Sequence, residues 1–171
     1  QQVMAAFPDQ PGLGVAVVEN GQITLAKGYG VRRLGAPARC DENTVFGIAS
    51  NTKAMTAAAL AMLVEDGKVE WDAPVTRYLP DFAMSDPVIT KLMTVRDLLV
   101  HRSGLTLGAG DLMIWPAPTH SRAEIVAGLK YLPIGSQFRG GYAYDNVLYV
   151  AAGEVVAAVT GKPWEDFIKT R

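Results

Sequence analysis

Residues 46–67 read FGIASNTKAMTAAALAMLVEDG. From Ala54 to Val64 the only polar side chain is Thr56. A helix that is apolar on nearly every face belongs in the interior of a domain, not on its surface. The pattern predicts a buried central helix over 50–66, stopped by Gly67. Ser50 and Lys53 stand at its head, three residues apart, so both side chains project from the same face. The stretch therefore predicts a layered domain around one helix, with a hydroxyl and an amine together at that helix's start.

The flanks supply the other layers. Leu13, Val15 and Val17 alternate, as do Ile23, Leu25 and Lys27, with Asn20-Gly21 between the two runs. Asn-Gly provides the two positive-φ positions of a tight hairpin, so residues 12–30 read as two antiparallel strands. Gly12, Gly14, Gly28 and Gly30 predict close backbone approach beside that ladder. A two-stranded hairpin is marginal alone in water. One short further strand is expected at Thr44-Val45-Phe46, and the shortage of others suggests that part of the fold is missing. Before Gln10 a short helix is expected. Pro74, Pro80 and Pro87 make residues 68–93 loop and short turns. Thr94-Val95-Arg96-Asp97 and Ser121-Arg122-Ala123-Glu124 read as capping boxes. Asp145 is placed to cap a helix over about 146–160 that Gly161 closes, and Pro163 to start a last one.

Composition excludes several classes. The chain has 171 residues, 49% hydrophobic and 19% charged, enough for one buried core and unlike a disordered segment. Its net charge of −1 and lack of like-charge blocks give no field to draw nucleic acid or an anionic membrane. One cysteine, Cys40, excludes an internal disulfide, and with two histidines, His101 and His120, argues against a zinc site. The longest apolar run, Ala57–Val64, is far short of a membrane span, and no signal peptide is expected. Gln1 in place of Met is expected of a processed or trimmed start.

Chemistry is concentrated at two places. Lys53 at the mouth of an apolar helix is disfavoured as an ammonium by desolvation and by the helix dipole, so it can take a proton from Ser50. A serine cap with a lysine reaching to water is the plain alternative, and four residues alone favour it. Tyr144-Asp145-Asn146 precedes a helix, where the dipole favours a phenolate, and Asn146 offers an amide. There is no G-x-S-x-G elbow. Gly28-Tyr29-Gly30 lacks the third glycine of a dinucleotide loop, and Gly161-Lys162 lacks the upstream glycine of a phosphate loop. Asp81, Asp86, Asp97 and Asp111 read as solvated or capping, and Cys40 as incidental.

Taken in order along the chain, these segments resemble the serine β-lactamase and penicillin-binding protein superfamily. Ser50-Asn51-Thr52-Lys53 is similar to its S-x-x-K. Tyr144-Asp145-Asn146 resembles the Y-x-N of the branch holding class C β-lactamases, DD-peptidases and family VIII esterases. Asp66-Gly67-Lys68, Asp72-Ala73-Pro74-Val75, Tyr78-Leu79-Pro80 and Thr94–Leu105 resemble further segments of that branch. The resemblance implies an α+β fold, an antiparallel sheet with flanking helices and a helical subdomain, incomplete in this chain. It implies an acyl-enzyme hydrolase of ester, amide or β-lactam carbonyls. Ser50 would be the nucleophile, Lys53 its proton acceptor, Tyr144 the general base and Asn146 the substrate-carbonyl ligand. The Ser50 N–H would be half of an oxyanion hole, and His101 and Ser103 would be structural. It implies no metal or organic cofactor, a small-molecule or peptide substrate, and export to the periplasm or beyond.

Three departures stand out. The third motif, K-T-G or H-x-G, is absent. Members are about twice this length, so it would follow residue 171. Asp145 stands where the branch has serine, either altering substrate preference or capping the helix. Arg102 replaces a threonine, with no effect expected. The chain is thus expected to be the N-terminal half of a hydrolase, completed by further sequence or by a second polypeptide. The rival reading is a non-catalytic relative that binds or assembles, or an inactive fragment.

Overall fold

In the computed structural model, which describes residues 2–171, the chain forms two units, Gln1–Ile48 and Ala49–Arg171. The first opens with helix α1 (Gln2–Ala6) and continues as a hairpin of β1 (Gly12–Glu19) and β2 (Gln22–Gly30). Asn20 and Gly21 turn it with φ of 51° and 75°, as Asn-Gly requires. The ladder runs from Gly12 opposite Gly30 to Glu19 opposite Gln22, with one irregularity between Val17 and Val18. Gly28 is a close-approach position: a Cβ there would stand 2.4 Å from the backbone N of Asp41. No third strand forms among the described residues, and Thr44–Phe46 is not extended sheet. Thr44 Oγ1 instead donates to Asp41 Oδ1 (2.8 Å) and accepts from the Asp41 N–H (3.0 Å). That local turn competes with pairing, and Val45 is left 94% exposed.

The second unit is helical. Its elements are α2 (Thr52–Glu65), α3 (Pro87–Leu92), α4 (Arg122–Gly128), α5 (Val147–Thr160) and α6 (Trp164–Thr170), with short 3₁₀ turns between them. Leu60 and Leu63 of α2 share a dry core with Leu148, Val155 and Val156 of α5 and with Met93, Leu98, Leu105 and Leu129. Small residues on both helices, Ala59 on α2 and Ala151 and Ala152 on α5, allow close packing. The expectation that α2 is buried all round needs correction. Thr56, Ala59, Leu60 and Leu63 form one buried stripe, while Ala54, Met55 and Ala58 are exposed. The helical unit covers one side of a helix whose sequence is apolar on every side.

The caps largely follow the sequence. Ser121 and Glu124 form a reciprocal capping box at α4, and Gly161 ends α5 with φ of 68°. Asp97 accepts from the Thr94 N–H and hydroxyl (2.9 and 2.7 Å), but only a 3₁₀ turn follows. α3 lies in the stretch read as loop and turns. Asp86 caps it through the Val88 and Ile89 N–H groups, with Pro87 in the first turn. The Asp145 carboxyl faces the Leu148 N–H in the first turn of α5, as a capping residue would. Asn146 occupies the cap position, without a side-chain capping bond. Asp145 is also buried, as described next.

Candidate active site

Ser50 lies in a 3₁₀ turn, Ala49–Asn51, that leads into α2. Ala49 holds φ of 44°, a left-handed conformation that costs a non-glycine residue on the order of 1 kcal/mol. This kink precedes the nucleophile candidate directly. Lys53 follows in the first turn of α2, and its Nζ donates to Ser50 Oγ at 3.1 Å. The i,i+3 spacing thus brings amine and hydroxyl together.

Tyr144 and Asn146 arrive from 94 and 93 residues away. Their segment is stitched to 101–108 by backbone bonds: Ala143 N–H to His101 O at 2.9 Å and Gly108 N–H to Tyr144 O at 3.1 Å. Arg139 anchors the same segment. Its guanidinium donates to both oxygens of Asp97 (2.9 and 2.6 Å), and its N–H to Arg102 O at 2.8 Å. Asp97 is buried, which by itself would raise its pKa. The Arg139 fork and the Thr94 bonds outweigh that and hold it below the usual carboxylate range.

The result is one cluster. Tyr144 OH donates to Ser50 Oγ at 2.6 Å. Lys53 Nζ also donates to Asn146 Oδ1 at 2.6 Å and lies 4.6 Å from the centroid of the Tyr144 ring. Hydrogen bonding to Lys53, then to Ser50, lowers the pKa of the Tyr144 phenol, against burial and, less, the charge of Asp111. All four residues singled out in the sequence therefore meet at one point.

Two further residues take part, of which the sequence offered Asp111 only as solvated or capping and His101 only as structural. Asp111 accepts from Asn146 Nδ2 at 2.9 Å. This bond fixes which end of the amide faces Lys53. Its only sequence signal is the Gly108-Ala109-Gly110 bend before it, where both glycines have positive φ. His101 stacks on Tyr144 with ring centroids 4.4 Å apart, and its Nδ1 accepts from the Asp145 N–H at 3.2 Å. Burial, then the charge of Lys53, lowers its pKa, so the ring is neutral at pH 7.

Asp145 points away from this surface. It is fully buried, with Oδ2 accepting from Ser103 Oγ at 3.1 Å and Oδ1 without a partner. Burial pushes its pKa up to about 6, against the Ser103 bond and the Leu148 N–H. It lines no substrate surface beside Ser50.

A cleft of about 570 Å³ opens beside Ser50, Lys53 and Asn146. Thr52, Lys53 and Thr56 line it from α2, Asn146 from the cap position before α5, and Tyr149, Val150 and Gly153 from α5. The 146/149/150/153 spacing is a helical stripe, so this wall is legible in the sequence once α5 is placed. Among the described residues no group of three or more His, Cys, Asp or Glu is placed to hold a metal ion. No helix among them is long and apolar enough to cross a membrane.

Comparison with known proteins adds four observations. The Beta-lactamase family model matches residues 1–171. The Unguisins hydrolase ungD of Aspergillus violaceofuscus is 33% identical over 160 residues, covering 89% of this chain and 28% of that protein. Among solved structures, the octameric penicillin-binding protein homologue from Pyrococcus abyssi superposes with a TM-score of 0.81 at 28% identity. It covers 98% of this chain and 39% of its own. The D-amino acid amidase from Ochrobactrum anthropi SV3, in complex with D-phenylalanine, gives a TM-score of 0.80 at 30% identity, over 98% of this chain and 45% of its own. The chain thus has part of the β-lactamase/transpeptidase-like fold. It spans less than a third of that curated relative and less than half of each of these two solved chains.

Proposed function

Since the chain belongs to the Beta-lactamase family, we propose that it carries the nucleophile half of a serine hydrolase working through an acyl-enzyme. The observation that carries this is the meeting of Tyr144 OH (2.6 Å) and Lys53 Nζ (3.1 Å) on Ser50 Oγ. A serine contacted by both an acidified phenol and an amine is an activated nucleophile.

The roles follow from the bonds. Tyr144, as phenolate, takes the proton of Ser50 while Oγ attacks the substrate carbonyl carbon. The carbon–heteroatom bond of the tetrahedral intermediate then breaks, and Tyr144 returns the proton to the leaving group. Water repeats the sequence on the acyl-enzyme and frees Ser50. Lys53 is bonded as a donor to Asn146 and Ser50, which favours Tyr144 over Lys53 as first acceptor and keeps a cation against the phenolate. Asn146 orients Lys53 and faces the substrate carbonyl. The Ser50 N–H supplies one oxyanion donor. The scissile bond is that of an ester or amide. The likeness to a D-amino acid amidase favours an acyclic amide or ester over a β-lactam. Activity belongs to the whole protein, of which this chain supplies the groups named here.

The test is Ser50→Ala in the complete protein, with a fluorophosphonate probe on the parent. Loss of at least a thousandfold in ester or amide turnover, with one probe adduct on Ser50, is expected. Turnover surviving the substitution would overturn the proposal.

A further inference from the structure

Lys53 carries its charge without a carboxylate partner. Among the described residues it forms no ion pair. The carboxylates within electrostatic reach of the cluster, Asp111 and Asp145, are bonded to Asn146 and Ser103 instead. Lys53 Nζ donates to a carboxamide, Asn146 Oδ1, and to a hydroxyl, Ser50 Oγ. It also faces two aromatic rings. One is Tyr144, 4.6 Å from the centroid, and the other is Tyr149, at 5.2 Å, which takes no part in the proton transfers. An aromatic face is negative and attracts an ammonium within about 6 Å of its centroid.

Tyr149 is fixed by its helix and by two contacts. It stands three residues after Asn146, so both side chains project from one face at the start of α5. Its hydroxyl donates to Leu99 O at 2.9 Å, and its ring lies 5.4 Å from that of His101, which stacks on Tyr144. The two phenols beside Lys53 are pushed in opposite directions. Burial, then the charges of Tyr144 and Asp145, raises the pKa of Tyr149, whereas bonds to Lys53 and Ser50 lower that of Tyr144. Tyr149 therefore keeps its proton, bonded to Leu99 O, while Tyr144 gives and takes one. Resting on the serine-hydrolase reading, we propose that Tyr149 is a positioning residue: its ring face, with that of Tyr144, holds the Lys53 ammonium on Ser50 and Asn146 and so keeps a positive charge beside the phenol that acts as base.

The experiment uses the complete protein with Tyr149→Phe, Tyr149→Leu and a ring-fluorinated phenylalanine at the same position. Phenylalanine keeps the negative face and loses only the hydroxyl. Fluorination keeps the shape and withdraws charge from the face, and leucine removes the ring. The readout is the limb of the pH profile that rises as Tyr144 loses its proton, followed as kcat/KM on p-nitrophenyl acetate. This limb reports ionisation in the free enzyme, so contacts with substrate do not move it, and its position is independent of the folded fraction. The bond to Lys53 is the largest cause of the lowered Tyr144 pKa, so a lysine that drifts away moves the limb to higher pH. Tyr149→Leu and the fluorinated ring should each move it up by about half a pH unit or more and lower kcat by roughly three- to tenfold. Tyr149→Phe should stay within about 0.2 pH unit and about twofold of the parent. A limb that leucine and the fluorinated ring leave in place, with Ser50 labelled by a fluorophosphonate, overturns the role of Tyr149 and leaves the serine mechanism standing. A limb that Tyr149→Phe moves as far as the others also overturns it, since the hydroxyl is then the cause. If Tyr149→Leu does not fold, the comparison of phenylalanine with its fluorinated form decides alone. A parent with neither labelling nor turnover overturns the serine mechanism and this inference with it.

Discussion

Replacing Asp145 with asparagine should stabilise the helical unit at alkaline pH and barely at acid pH. Asp145 is fully buried, one oxygen is unpartnered, and burial raises its pKa from 3.8 to about 6. An acid with a raised folded-state pKa binds its proton more tightly when folded. Below pH 3.8 both states are protonated and nothing is lost. Between 3.8 and about 6 the unfolded chain releases the proton while the fold keeps it, and stability falls as pH rises. Above about 6 the penalty is complete. Each tenfold difference in proton affinity between the two states is worth about 1.4 kcal/mol, which gives about 3 kcal/mol at pH 8 against roughly 0.5 at pH 4. Asparagine keeps an acceptor for Ser103 and carries no charge, so it escapes the penalty. The assay is urea unfolding at pH 4, 6 and 8, followed by tryptophan fluorescence. Trp71, Trp115 and Trp164 all lie in the same unit as Asp145, so the signal reports on that unit. The stability advantage of Asp145→Asn should grow by about 2–3 kcal/mol from pH 4 to pH 8. An advantage that stays constant within about 0.5 kcal/mol would refute the buried-acid argument, since loss of a shape or packing effect does not titrate.

Other expectations follow from the same contacts. The pH–rate profile of the complete protein should rise through neutral into mildly alkaline pH, because the acidified Tyr144 must lose its proton to act; a profile flat from pH 5 to 9 would count against it as base. Asp111→Asn should move that rising limb to lower pH, since the Asp111 charge opposes ionisation of Tyr144; a shift to higher pH would contradict this. His101→Ala removes the ring stacked on Tyr144 and the acceptor for the Asp145 N–H, so kcat should fall by roughly three- to tenfold with KM less affected. Arg139→Ala leaves the buried Asp97 without its fork and should destabilise the fold by about 1–3 kcal/mol in the same urea assay.

Much of this was legible because it rests on short-range chemistry. Asn20-Gly21 encodes the hairpin turn, Ser121 with Glu124 encodes a helix start, and Gly161 encodes a helix end. Each signal is complete within four residues, and each feature forms as read. What escaped the sequence depends on distant partners. Thr44–Phe46 carries strand-forming residues, yet the Asp41–Thr44 bonds win where no neighbouring strand offers a ladder. The apolar face at Ala54, Met55 and Ala58 cannot be told from the buried stripe by composition, because both are made of the same residues. Asp111 reads as any loop aspartate until the fold brings it against Asn146, 35 residues on. Asp145 reads as a helix cap because it precedes a helix, and its carboxyl does face the Leu148 N–H, but only the fold reveals that it is buried against Ser103.

The features around Ser50 share one physical character: each is locally unfavourable. Ala49 sits in a left-handed conformation, and Asp145 is an ionisable group in a buried site. A sequence optimised for stability alone would use glycine at 49 and an apolar residue at 145. The compensation is nearby and covalently close. Arg139 bridges the buried Asp97, backbone bonds stitch 139–144 onto 101–108, and the dry packing of α2 on α5 holds both ends of the cluster. Unfavourable groups crowded at one point, with stabilising contacts ringed around it, are what a preorganised reaction centre requires. A binding scaffold has no need to hold an amine and a phenol on one serine hydroxyl. That asymmetry, more than any single distance, favours the catalytic reading over a non-catalytic relative.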